Sequence, residues 1–154
     1  MTPKTRLSAR ALTALNALIM ACLFASPALA AEFSSPSGNI RCYIDLYNAQ
    51  SLDDVPMVCL VFAADWDLPP DYGDDDPTCD LDRTRTVILT RGQSSVARWT
   101  CHGDVFWPAP LGKISYGSQW SLFDFTCDVA TTGVRCDDDP GNGFAVNRAG
   151  IVMN

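Results

Sequence analysis

From Phe123 the chain alternates apolar and polar positions. Phe123, Phe125, Cys127 and Val129 share one face, and Asp124, Thr126 and Asp128 share the other. Val134 and Cys136 resume the apolar face after Thr131-Thr132-Gly133. A period of two with one apolar face marks a half-buried strand, so the stretch reads as a β-hairpin. If Cys127 stands opposite Cys136, then Val129 stands opposite Val134 and Asp128 opposite Arg135. Apolar residues then meet on the buried side and opposite charges on the outer side, a favourable cross-strand arrangement. The turn argues against this register, because Thr-Thr is a poor two-residue loop beside Asn-Gly. A longer loop with Gly133 in a bulge would shift the pairing by one.

The same reading extends both ways. Asp137 to Gly143 (DDDPGNG) is an acidic turn, and Gly143 to Arg148 resumes strand character. Upstream, Ser35-Pro36-Ser37-Gly38-Asn39 is a turn cluster. Ile40, Cys42, Ile44 and Leu46 then alternate with polar residues. Met57 to Phe62 is a continuous apolar run, the mark of a more fully buried strand. Thr84 to Thr90 and Val96 to Cys101 form a hairpin joined by Arg91-Gly92-Gln93-Ser94. Ala63 to Pro77 is irregular, broken by Pro69, Pro70 and Gly73. Asp104 to Trp107 is a short strand, and Tyr116-Gly117 a turn. No segment beyond the first thirty residues sustains a helical period. The pattern predicts a small all-β, antiparallel, disulfide-stapled sandwich or barrel of about seven to nine short strands.

The first thirty residues differ in kind. Lys4, Arg6 and Arg10 precede a mostly apolar run, and Ser26-Pro27-Ala28-Leu29-Ala30 ends it. A basic start, an apolar middle and a small-x-small end make a secretory signal peptide. The run is broken by Asn16 and is short of the roughly 20 residues a spanning helix needs. Cleavage is expected after Ala30, leaving 31–154 as one disulfide-rich β domain with no membrane insertion. Its expected home is the periplasm or the medium.

That leader changes the cysteine count. The chain has seven cysteines, and the leader removes Cys22. Cys42, Cys59, Cys79, Cys101, Cys127 and Cys136 remain, and an even number in an exported domain reads as a disulfide framework. None are spaced as C-x-x-C, so a zinc site is not expected. Strand adjacency favours sequential pairs: Cys42–Cys59, Cys79–Cys101 and Cys127–Cys136.

The formal charge of −7 becomes −10 once Lys4, Arg6 and Arg10 leave with the signal. Every acidic residue except Glu32 is Asp, a turn former and a poor helix former. Such a surface excludes nucleic acid and anionic lipid as partners.

Candidate chemistry is sparse. His102, the single histidine, could serve a Ser-His-Asp hydrolase, but the chain has no Gly-x-Ser-x-Gly elbow, and a strand-end role is the expected one. Asp74-Asp75-Asp76 and Asp137-Asp138-Asp139 could supply paired carboxylates for a small hydrolase. Calcium is the better functional reading of the acidic stretch Asp71 to Asp82, with solvated turns the plainer account. Trp99 lies in a strand and is expected to fill the core. Trp66 and Trp107 border prolines and are expected at the surface. Neither catalytic residues nor a metal or cofactor are assigned. The expected binding surface comprises Trp66, Trp107, Tyr116, Trp120, Phe144 and Arg148.

Ordered motifs also resemble a known family. Phe33 with Ser-Pro-Ser-Gly-Asn-Ile through Cys42, the Met57–Phe62 cysteine strand and Asp65-Trp66 through Pro70 come first. Tyr116-Gly117, Trp120, Phe125-Thr126-Cys127, Thr132 to Cys136, and Gly141 to Phe144 with Arg148 follow. Together they resemble the exported bacterial family catalogued as domain of unknown function 6636, along nearly all of 31–154. Two departures stand out. Ile114-Ser115 replaces Leu-Pro before Tyr116, and the segment after Cys79 lacks the family's Trp-Gly. The resemblance implies an exported, disulfide-rich β domain and brings no established activity. The expected function is a non-enzymatic binding or inhibitor-like module for an unknown protein or cell-envelope component. A small secreted hydrolase using loop Asp residues, or a calcium-binding module, is the alternative.

Overall fold

The computed structural model describes residues 31–68, 73, 76–103 and 112–154. The signal segment, Trp107, the 104–107 strand and Asp71, Asp74 and Asp75 lie outside the described residues. The fold is all-β: two antiparallel five-stranded sheets. The first sheet is β1 (Glu32–Ser34), β2 (Ile40–Ile44), β3 (Pro56–Val61), β4 (Asp82–Thr90) and β5 (Val96–His102), in chain order. The second is β6 (Ser118–Leu122), β7 (Phe125–Ala130), β8 (Gly133–Asp138), β9 (Gly143–Val146) and β10 (Ile151–Met153), also in order. Each half of the chain therefore folds as a meander of local pairings, and the two meanders meet as a sandwich rather than a barrel.

The alternation dictates that meeting. Ile40, Cys42 and Ile44 of β2 and Met57, Cys59 and Val61 of β3 point inward. Phe125, Cys127 and Val129 of β7 and Val134 and Cys136 of β8 face them. Phe33 and Trp120 stack across the layers with ring centroids 5.1 Å apart. Burying a Phe, Leu or Val side chain stabilises by about 1.5–3 kcal/mol, and all of these are buried. The edge of β1 is covered by the crossing between the sheets: Gly112 O accepts from Ser34 N, and Ile114 N donates to Ser34 O.

The three disulfides join the expected sequential pairs. Cys42–Cys59 and Cys127–Cys136 are directly opposed residues of adjacent strands. Sulfurs of Cys42, Cys59 and Cys136 lie within 4.8 Å of one another, so the two bridges stack between the sheets. Three bridges in one small domain fit an oxidising compartment. Among the described residues no helix is long and apolar enough to cross a membrane.

The Cys127–Cys136 register is the expected one, with Val129 against Val134 and Asp128 against Arg135. Gly133 resolves the objection from the turn. Its φ of 135° takes the unusual backbone conformation, so neither Thr131 nor Thr132 needs a positive φ.

Other boundaries need correction. There are ten strands among the described residues rather than seven to nine. The two extra, β1 and β10, are three-residue edges, too short to show a period. β7 begins at Phe125, because Phe123 and Asp124 form the β6–β7 turn with φ of 51° and 65°. That geometry usually goes to Asn-Gly, so the sequence does not advertise it. β2 stops at Ile44, leaving Leu46 exposed. β9 stops at Val146, short of Arg148. Asp137 and Asp138 are not in a turn but in β8.

Candidate functional site

The two ends of the sandwich differ. At one end the loops are stitched shut: Arg91 pairs with Asp124 at 3.0 Å, Gly92 N donates to Asp138 Oδ2, and Ser95 Oγ donates to Gly143 O. At the other end a groove of about 430 Å³ opens between the layers. Ser37, Gly38 and Asn39 of the β1–β2 turn form one wall. Thr131 and Gly133 of the β7–β8 turn, Asn147 and Arg148 after β9, and Tyr116 before β6 form the other. Both sheets contribute, so the groove exists only in the assembled sandwich.

Two asparagines build it. Asn39 Oδ1 accepts from Ala63 N at 2.6 Å, and Asn39 Nδ2 donates to Ala63 O at 2.8 Å. The side chain thereby acts as an added piece of strand after β3. Asn147 Oδ1 accepts from Ala149 N and Gly150 N, while its Nδ2 donates to Thr132 O. Such side-chain bonds to nearby backbone shape turns that no ladder holds. Both amides are therefore committed to structure, and contact with a ligand falls to other groups.

Those groups are Tyr116, Arg148 and the hydroxyls. Tyr116 is 45% exposed. Arg148 is exposed and makes a forked contact with Asp65, at 3.1 and 3.2 Å from Nε and 3.2 Å from Nη2. Asp65 N also donates to Arg148 O at 2.8 Å. An exposed ion pair of this kind adds little stability, so its use is to hold the guanidinium at the rim.

Gly133 lines the same groove. A Cβ there would collide with the Val146 carbonyl oxygen and the Asn147 side chain. Gly133→Ala is expected to destabilise by about 1–3 kcal/mol and to push the Asn147 turn away from the β7–β8 turn. A urea midpoint unchanged from wild type would refute this.

The remaining expected site residues sit elsewhere. Trp120 and Phe144 were expected at a surface but are core residues, 8% and 1% exposed. Each occupies an inward position of its strand, where burial outweighs any binding role. Trp66 is half-buried against the core. Its Nε1 donates to Asn147 O at 2.9 Å, and the Arg85 guanidinium lies 5.5 Å over its ring. It anchors the segment after β3 to the β9–β10 turn. Trp99 is not a core residue but half-buried in β5, the edge strand of the first sheet, with Arg85 4.6 Å over it. One arginine thus bridges two indoles and also reaches Asp67.

The candidate chemical groups are engaged. His102 ends β5, with Nε2 2.6 Å from the hydroxyl of Thr84 and Nδ1 3.1 Å from Gly103 O. Thr84 is buried, so this pair closes a sheet edge and presents no reachable nucleophile. Asp76 accepts from Thr78 N and Thr78 Oγ1, which hold it below the usual carboxylate range. Asp137 receives two guanidinium bonds from Arg135 at 2.8 Å. Asp138 is 5% exposed. Burial pushes its carboxyl up, but bonds from Gly92 N, the Asn142 side chain and Asn142 N together outweigh that and hold it below its ordinary value. Sequence reasoning missed the role of Asp138, because a triple Asp before Pro-Gly reads as turn.

Comparison with family models, with curated proteins and with solved structures finds no match to this chain.

Proposed function

We propose that this is an exported, non-enzymatic binding or inhibitor-like module, which takes a protein or cell-envelope partner at the open end of its sandwich. The observation that carries the reading is the contrast between the ends. One is stitched by a buried carboxylate and an arginine; the other keeps a groove with an exposed tyrosine and a positioned arginine at its rim. Loops held on a rigid sandwich are where binding residues concentrate, and Tyr and Arg are the types that anchor partners. The proposed setting is the periplasm or the medium, which fits the disulfides and the leader. The resemblance to domain of unknown function 6636 belongs to the same proposal. Its motifs include Asn39, Tyr116, Gly133 and Arg148, the residues that build or rim this groove.

The hydrolase alternative draws no support from Asp137 and Asp138. A carboxylate held ionised by several donors is a poor general acid, and one clamped by arginine is a poor general base. The test is comparative. Oxidised wild-type protein and a Tyr116→Ala/Arg148→Ala variant are immobilised and exposed to the native host's envelope and medium fractions. The variant is expected to keep its thermal transition and to lose the partner that wild type retains. Identical captured sets would overturn the reading.

A further inference from the structure

The lining of the open-end groove is chemically one-sided. The chain carries 18 acidic residues, yet among the described residues none lines this groove, and Arg148 is the one charged group that does. Asp65 reaches Arg148 from outside the lining. It takes Nε and Nη2, so Nη1 stays at the other end of the fork, with no acceptor among the described residues. The Arg148 side chain is 70% exposed, so a ligand in the groove reaches it. Around it Ala63, Tyr116, Ala130 and Thr131 are all exposed, and they add a ring and methyl groups rather than further charge.

The other polar groups narrow the ligand class. In the β1–β2 turn Gly38 N donates to Ser35 O, Asn39 N to Ser37 Oγ and Ile40 N to Ser35 Oγ. Across the groove Ala149 N and Gly150 N donate to Asn147 Oδ1. A peptide C-terminus or a phosphate is held by a nest of free N–H groups, and these N–H groups are already spent. Both asparagine amides are tied into turns, which leaves little to bond the many hydroxyls of a sugar. What the groove offers is one guanidinium fork for one oxyanion, beside apolar surface. The formal charge of −7 over the chain repels a polyacidic segment.

We infer that the groove takes an extended segment of a protein partner carrying a single Asp or Glu among uncharged residues. The carboxylate of that segment accepts from Nη1–H of Arg148. The residues beside it lie against the Tyr116 ring and the methyl groups of Ala63 and Ala130. Asp65 acts as a positioning residue, holding the guanidinium at the rim from its other edge. The inference rests on the reading of the open end as the binding end, and it names what binds there.

The test is selection of random heptapeptides on the oxidised protein, with Tyr116→Ala/Arg148→Ala as counter-target. The peptides are displayed on phage with a linker at their C-terminal side, so none has a free carboxy terminus. Selected sequences are expected to share one Asp or Glu. The tightest, made with both ends blocked, should shift the amide signals of Gly38, Asn39, Thr131, Gly133 and Arg148 in isotope-labelled protein. Its Asn or Gln counterpart should bind at least about tenfold more weakly. Arg148→Gln should weaken the acidic peptide by a similar factor and leave Tm unchanged, because the exposed pair adds little stability. Thr131→Asp puts a carboxylate into the lining and should weaken binding several-fold, whereas its neutral match Thr131→Asn should not. Methyl galacturonoside, an acidic sugar, should not displace the peptide. Failure to select any peptide, selected peptides without a shared acid, equal binding of the amide counterpart, or displacement by the sugar would overturn the inference. If capture from envelope fractions still depends on Tyr116 and Arg148 in that event, the binding end stands and only its ligand class falls. If acidic peptides bind at the groove while capture ignores those residues, the inference stands and the reading of a host partner falls.

Discussion

Reducing all three disulfides is expected to unfold the protein at ordinary temperature. The bridges close loops with sequence separations of 17, 22 and 9 residues. Loop-closure entropy assigns about 3 kcal/mol to each, so their sum approaches the roughly 5–15 kcal/mol margin of a typical domain. The bridges should not go together. Cys79–Cys101 is only half-buried and lies at the acidic end of the first sheet, whereas Cys42, Cys59, Cys127 and Cys136 are fully buried. A mild phosphine should therefore open Cys79–Cys101 first, and the stacked pair only when the sandwich itself opens. Mass spectrometry of alkylated intermediates reads that order. Replacing Cys127 and Cys136 together by Ala should lower Tm by about 10 °C, because it also leaves a gap against Cys42–Cys59 and Met57. The Cys127 sulfur lies 3.5 Å from the Met57 sulfur, so the second sheet would lose its grip on the first. A variant melting within about 2 °C of wild type would refute the account.

How far the sequence could be read depended on periodicity. The β7–β8 register was legible to the residue, because a cysteine pair, a valine pair and an Asp–Arg pair all demanded it. The disulfide pattern followed from strand adjacency. β1 and β10 were illegible, since three residues show no period, and their pairing comes from neighbours already in place. The Phe123-Asp124 turn was illegible because its residues are not those that favour positive φ. The binding surface was only half legible. Tyr116 and Arg148 do rim one groove, but Trp120 and Phe144 are inward. In a chain with several aromatics per sheet, type alone does not tell a stacking ring from a core ring.

Asp138 is the other residue whose loss should be felt throughout the domain. Its carboxylate links the layers: Gly92 N of the first sheet's β4–β5 turn donates to Oδ2 at 2.6 Å, and Asn142 N of the β8–β9 turn donates to Oδ1 at 2.7 Å. Asn142 Nδ2 adds bonds to both oxygens. Asp138→Ala removes these together and leaves donors facing a cavity, at an expected cost of about 2–5 kcal/mol. Because the folded carboxyl is held below its ordinary value, its contribution is present above the unfolded value near pH 4. It is lost as pH falls through the lower, folded value. The stability gap between wild type and Asp138→Ala should therefore be widest near neutrality and narrow in acid, where the wild-type carboxyl takes up a proton. Asp138→Asn keeps the shape but turns one acceptor oxygen into a donor, which must face either Gly92 N or Asn142 N, so it should fall with Asp138→Ala rather than with wild type. Urea unfolding of the three proteins at pH 7 and near pH 2.5 measures this. An Asp138→Asn protein as stable as wild type at pH 7, or a gap that does not narrow in acid, would show that shape and not charge ties the layers at this end.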